Sequence, residues 1–120
     1  MRVLIVESSA PLAQLWQGHL KRMGARVSLA RAQNDAVAAL AREDFDVIIL
    51  DLVLDEGSAL AVSDIAQYRQ PEARVIFVTN TSFFSDGSIF RHCANACAFL
   101  PSSTAPSDLA TMVEHYARAP

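Results

Sequence analysis

The side chains best suited to chemistry in this 120-residue chain stand at the ends of its apolar runs. Glu7 and Ser8 follow "RVLIV" (2–6), Asp51 follows "DVIIL" (46–50), Thr79 ends "RVIFVT" (74–79) with Asn80 next, and Ser102 lies just past "CAFL" (97–100). A carboxylate that ends a buried strand sits in a partly dry, preorganised setting, where it can act as a nucleophile or hold a hard cation. A hydroxyl on the neighbouring strand can hydrogen-bond an oxyanion arriving there. Taken singly, each residue has a plainer role, Asp51 as a cap on the following turn and Thr79 or Ser102 as ordinary turn residues. Only the set points to a shared site.

For the set to converge, the apolar runs must be neighbouring strands. The four runs are continuously branched or apolar, as strands buried on both faces are, and a fifth, "RVSLA" (26–30), alternates Val27 and Leu29 with polar neighbours, as a strand nearer an edge does. Between them the spacing predicts helices. Ser9 caps the first, with Pro11 in its first turn, Leu12, Leu15, Trp16, Leu20 and Met23 inward and Gly24 at its exit; Asn34 caps the second, with Val37, Leu40 and Ala41 inward. Ser58 caps the third, which turns Leu60, Val62, Ile65 and Tyr68 inward and ends before Pro71. A weaker fourth covers about 84–94 with Gly87 inside it, and the last runs from Ser107, after Pro106, through Leu109, Met112, Val113 and Tyr116. Strict βαβ alternation demands a mostly parallel sheet with right-handed crossovers and helices on both faces, and its ligands bind beyond the carboxyl ends of the strands, where strand order reverses. That is the rim at which Glu7, Asp51, Thr79 and Ser102 stand.

Composition narrows the classes. With 52% apolar and 19% charged residues the chain can bury a real core in one domain. A net charge of −3 offers no footprint for nucleic acid or an anionic membrane. No apolar run approaches the roughly 20 residues that span a bilayer, and "MRVLIVESS" is too short for a signal peptide, so a cytoplasmic location is expected. Cys93 and Cys97, with no histidine pair at finger spacing, read as reduced thiols and not as a zinc site. "ESSAPL" is too poor in glycine to wrap a cofactor phosphate, which argues against a flavodoxin-type redox protein.

From "VLIVESS" through "DVIILDLVLDEGSAL" and "ARVIFVTN" to "ACAFLPSS" and the closing helix, the chain resembles a response-regulator receiver domain of two-component signalling. The resemblance implies a flavodoxin-like (βα)5 three-layer sandwich over residues 1–118, with a five-stranded parallel sheet in the order 2-1-3-4-5. It implies that a histidine kinase or phosphotransfer protein passes a phosphoryl group to Asp51, with a downstream protein partner and no enzymatic activity of its own. By the same resemblance Thr79 is the hydroxyl that binds the phosphoryl group, Phe99 the aromatic switch residue, and Mg2+ the cofactor, held by Glu7, Asp51 and the backbone carbonyl of Val53. No output domain is expected in the chain, and the family allows a homodimer.

The chain departs from the family at two helpers of Asp51. Ser8 replaces an acid that binds the metal directly, so Mg2+ is expected to bind weakly, with Asp55 and Glu56 as partial compensation. Ser102 replaces a lysine, and the only lysine in the chain, Lys21, lies in the first helix far from the rim. A serine offers one hydrogen bond and no charge. Pro101 also stands where it does not match the family's cis proline. Two functions therefore compete: a phosphoacceptor with a weakened pocket, and a phosphorylation-independent interaction module of the same fold.

Overall fold

The computed structural model describes residues 1–79 and 96–118. Expectations for Asn80, for the helix over about 84–94 with Gly87, and for Cys93 lie outside the described residues. Within them the order is β1 (Arg2–Val6), α1 (Ala10–Arg22), β2 (Arg26–Ala30), α2 (Gln33–Arg42), β3 (Val47–Asp51), α3 (Ala59–Arg69), β4 (Arg74–Thr79), β5 (Ala96–Pro101) and α4 (Pro106–Arg118). The strands form one parallel sheet, as the alternation implied, in the order β2-β1-β3-β4-β5 that the resemblance implied. β3 begins and ends one residue later than its apolar run suggested, so that Asp51 belongs to the strand itself.

Side-chain alternation sorts the central strands onto two cores. Val3, Ile5, Val47, Ile49, Ile76 and Val78 pack with Trp16 and Leu20 of α1 and Leu109 and Val113 of α4. Leu4, Val6, Ile48, Leu50, Val75 and Phe77 pack on the other face with α2 and α3. β2 is the edge strand, as expected, but it leaves Val27 half-buried and Leu29 exposed, so its burial does not follow the apolar alternation of its sequence.

The inward faces of the helices differ from the expected ones. α2 buries Ala36, Ala39 and Leu40, leaving Ala41 exposed and Val37 half-buried, and α3 buries Ala59, Val62, Ser63 and Ala66. Leu60 and Tyr68 face outward, Tyr68 with 88% of its surface exposed, and Leu15 of α1 is likewise exposed. The reason is close packing: α2 and α3 share one face of the sheet, and alanines at the crossing let their backbones approach the strands and each other. Spacing alone ranked the larger side chains inward, whereas the geometry gives those places to small ones. The caps differ too. Ala32, not Asn34, is the N-cap of α2; Ser9 sits at the N-cap of α1 without a side-chain bond; only Ser58 caps as expected, its Oγ accepting from the Ala61 amide at 3.2 Å.

Candidate functional site

Register places the rim residues side by side. β1 pairs with β3 so that Val3 faces Val47, Ile5 faces Ile49 and Val6 faces Leu50, and extending the ladder by one residue sets Glu7 beside Asp51. Glu7 and Asp51 continue the Val3–Ile5 and Val47–Ile49 rows, so both carboxyls leave the same side of the sheet on strands about 4.8 Å apart. This is also where strand order reverses, since β2 lies to one side of β1 and β3 to the other.

The next two strands complete the rim. Asp51 pairs with Val78, Thr79 follows it, and Thr79 pairs in turn with Pro101 at the end of β5. The Ser102 amide then donates to the Thr79 carbonyl at 2.7 Å, tying the serine to the end of β4. Thr79 is buried and Ser102 half-buried. Phe99 pairs with Phe77 and packs, half-buried, on the α2–α3 side of the core. Every described peptide bond is trans, that of Pro101 included.

Glu7 is the residue most altered by this setting. It is 3% exposed, and its carboxyl is pushed up to about 7, first by burial and then by the Asp51 carboxyl beside it, against the pull of the Ser9 and Ser8 amides. The Ser9 amide donates to Oε2 at 3.0 Å, whereas no donor among the described residues reaches the buried Oε1. Two neighbouring carboxyls can bond each other only through a shared proton or through a cation. Asp51 is half-exposed, and its Oδ1 accepts from the Val53 amide at 2.9 Å, which fixes the carboxylate's orientation.

An orphaned carboxyl oxygen next to a second carboxylate is what a hard cation satisfies, and the set fits one through Glu7 and Asp51, with the exposed residue Val53 two positions beyond Asp51. It is a thin set: among the described residues no three His, Cys, Asp or Glu side chains gather as a metal site. Asp55 and Glu56 do not join it. They line a cavity of about 420 Å3 on the β2 side of the rim, together with Arg31, Gln33, Asp35 and Gly57, and of the expected site residues only Ser8 reaches that cavity.

Ser8 stands next to the carboxyl pair but is engaged elsewhere. Its Oγ donates to the Arg31 carbonyl at 2.8 Å and accepts from the Asp55 amide at 2.9 Å. Lys21 is exposed in the last turn of α1, toward the opposite edge of the sheet. Among the described residues the rim therefore brings together the Glu7 and Asp51 carboxyls with Thr79 and Ser102, and no ammonium group joins them.

Sequence reading missed one residue that organises this region, Gln33. Its Oε1 accepts from the Ser58 amide at 2.9 Å and its own amide donates to the Glu56 carbonyl at 3.3 Å. A glutamine in the first turn of a helix carries no signal for such a reach; the only local hint was Gly57, whose φ of +88° marks a tight loop.

Comparison with known proteins agrees with the geometry. The family model described as the response regulator receiver domain matches residues 3–114. The chain is 33% identical over 118 residues to the response regulator protein PilR of Pseudomonas aeruginosa, covering 98% of this chain and 26% of PilR. The chain thus spans about a quarter of that relative's length. Among solved structures it resembles the signal receiver domain of a LuxO repressor protein from Vibrio parahaemolyticus, with a TM-score of 0.86 and 27% identity over 98% of this chain and 89% of that one. It also resembles the response regulator protein TrrA of Thermotoga maritima, solved in complex with Mg2+ and beryllofluoride, with a TM-score of 0.83 and 20% identity over 96% of this chain and 97% of that one.

Proposed function

The chain belongs to the response-regulator receiver domain family of two-component signalling, and from that premise we propose that Asp51 accepts a phosphoryl group from a histidine kinase or phosphotransfer protein. The change is then passed to a downstream protein. The observation that carries this reading is the carboxyl pair: Glu7 and Asp51 end adjacent parallel strands, Glu7 Oε1 is buried without a donor among the described residues, and Thr79 and Ser102 stand at the ends of the next two strands.

The residues divide the work as follows. Oδ1 of Asp51 is held by the Val53 amide, so the other oxygen attacks phosphorus in line. As that bond forms, the bond from phosphorus to the donor breaks and its electron pair leaves with the donor. Glu7 must give up its proton for the pair to present full charge to a cation. Glu7, Asp51 and the Val53 carbonyl would hold a magnesium ion, which would supply neutralisation of the charge on the phosphoryl oxygens. Thr79 and Ser102 give those oxygens hydroxyl donors, and Phe99, packed beside Phe77, transmits the change at β4 to the surface. With Ser8 in place of an acid and Ser102 in place of a lysine, the pocket binds magnesium weakly and lacks the ion pair that would hold the phosphoryl group.

A second reading, a phosphorylation-independent interaction module, is favoured by one observation. Both hydrogen bonds of Ser8 are spent on neighbouring loops, so its side chain is a structural tie and not a cation ligand. Incubation with acetyl phosphate and magnesium, read by intact mass with Asp51→Asn as control, separates the two. One added phosphoryl group that disappears in the control supports the phosphoacceptor, and its absence at high donor concentration supports the interaction module.

A further inference from the structure

The loop of residues 52–58 leaves Asp51, carries Val53 and enters α3, and it is fastened at three points. At its start the Val53 amide donates to Asp51 Oδ1 at 2.9 Å. In its middle the Asp55 amide donates to Ser8 Oγ at 2.9 Å, while the same hydroxyl donates to the Arg31 carbonyl at 2.8 Å. At its end the Ser58 amide donates to Gln33 Oε1 at 2.9 Å, and Gln33 returns its own amide to the Glu56 carbonyl at 3.3 Å. Gly57 closes against Gln33 so tightly that a Cβ placed there would come within 2.4 Å of the glutamine Cβ.

Together these bonds join three loops that the sequence keeps far apart: the one after β1, the one between β2 and α2, and the one between β3 and α3. Apart from the backbone bond from Gln33 to Glu56, each joins a side chain to a backbone group, so each fixes the path of the chain and not merely a rotamer. A hydroxyl suits the central position because it can donate to one loop and accept from another at once. A carboxylate there could accept from Asp55 but would set its charge against the Arg31 carbonyl.

We propose that Ser8 and Gln33 are positioning residues that clamp the 52–58 loop onto the start of α2 and so hold the Val53 backbone in place beside Asp51. This rests on the phosphoacceptor reading for its purpose. Its content is a specific division of labour: Glu7 and Asp51 supply charge, whereas Ser8, at the position of a lost acid, supplies order. The pocket is thus thin in charge but preformed in shape, and putting an acid back at residue 8 trades one for the other.

The test uses the full chain and two measurements by NMR. In backbone amide exchange, the amides of Asp55 and Ser58 are protected in the unaltered protein. Ser8→Ala speeds exchange at Asp55, and Gln33→Ala at Ser58, by about tenfold each, the worth of one lost hydrogen bond. Ser8→Thr and Gln33→Glu, which keep the acceptor oxygens, retain the protection. In a titration with magnesium alone, followed through the Val53 amide shift, both alanine variants weaken binding by about tenfold, as loss of a supporting shell does.

Exchange at Asp55 and Ser58 that is the same in the unaltered protein and both alanine variants overturns the clamp. Lost protection with unchanged magnesium affinity, or no saturable magnesium shift in the unaltered protein, overturns the positioning role. A saturable shift with the clamp intact but no adduct from acetyl phosphate leaves this inference standing and removes the phosphoacceptor reading.

Discussion

Glu7 and Asp51 end adjacent parallel strands with their carboxyls on the same side of the sheet, and Oε1 of Glu7 is buried there without a donor among the described residues. Burial first, and then the Asp51 carboxyl beside it, raise the Glu7 carboxyl to about 7. Much of the behaviour of the pocket follows from that pair.

The first consequence is a dependence of stability on pH. A carboxyl raised from 4.5 in the open chain to about 7 in the fold binds its proton more tightly when folded. Its contribution is fully present below the lower value and is lost as pH rises toward the upper one. Without magnesium, urea denaturation should therefore show stability falling between about pH 5 and pH 7, by on the order of 2 kcal/mol. Glu7→Gln, neutral at every pH, flattens that slope. A stability that rises over the same interval in the unaltered protein, with no change in the variant, contradicts the raised Glu7 carboxyl.

Magnesium should act with the opposite sense. Because Glu7 must be deprotonated to serve the cation, metal binding competes with its proton. Added magnesium raises the melting temperature more at about pH 8 than at about pH 5.5, and Glu7→Gln removes most of the gain at the higher pH. Differential scanning fluorimetry at matched ionic strength reads both.

Restoring charge at the edge of β5 should strengthen phosphoryl acceptance. The Ser102 backbone is fastened to Thr79 through its amide, so a longer side chain there starts from a fixed point on the rim and its half-exposed position leaves room for it. Ser102→Lys is expected to raise the rate of labelling by acetyl phosphate about tenfold, the worth of one charge-assisted contact to a phosphoryl oxygen. Stability should change by less than about 1 kcal/mol, since the substitution is on the surface.

A quite different residue holds the α2–α3 side together. Gln70, buried after the end of α3, donates to the Leu40 and Glu43 carbonyls at 3.0 and 2.8 Å and accepts from the Phe45 amide at 2.8 Å. It satisfies the last turn of α2 and the entry to β3 at once. Gln70→Leu fills similar volume but strands three backbone groups, and chemical denaturation should show a loss of about 3 kcal/mol. A loss under about 1 kcal/mol would mean that water replaces the side chain readily.

The fold and the rim were legible for a common reason. Continuous apolar runs and helical spacing state the element order, and the parallel topology then gathers Glu7, Asp51, Thr79 and Ser102 whatever their individual roles. Helix faces were harder to read. Leu15, Leu60 and Tyr68 have the size of core residues, yet the tight approach of helix to sheet favours Ala36, Ala39, Ala59 and Ala66, and size alone does not report that distance. The roles of Ser8 and Gln33 were hidden more deeply, since each acts through backbone atoms of loops distant in sequence. Ser8 read only as a missing acid until its two hydrogen bonds were in view. The altered acidity of Glu7 likewise depends on burial and on a neighbour 44 positions along the chain, and no local motif carries either.

The central claim is that Asp51, with Glu7 as its acidic neighbour among the described residues and no lysine at hand, still accepts a phosphoryl group. The most direct measurement locates it. After incubation with acetyl phosphate and magnesium, borohydride reduction converts a phosphorylated aspartate to homoserine, and peptide mass spectrometry reads the position. The account predicts homoserine at residue 51, dependent on magnesium and strongly reduced in Glu7→Gln. Unmodified Asp51 at saturating donor, or homoserine at Asp55 in its place, would contradict it.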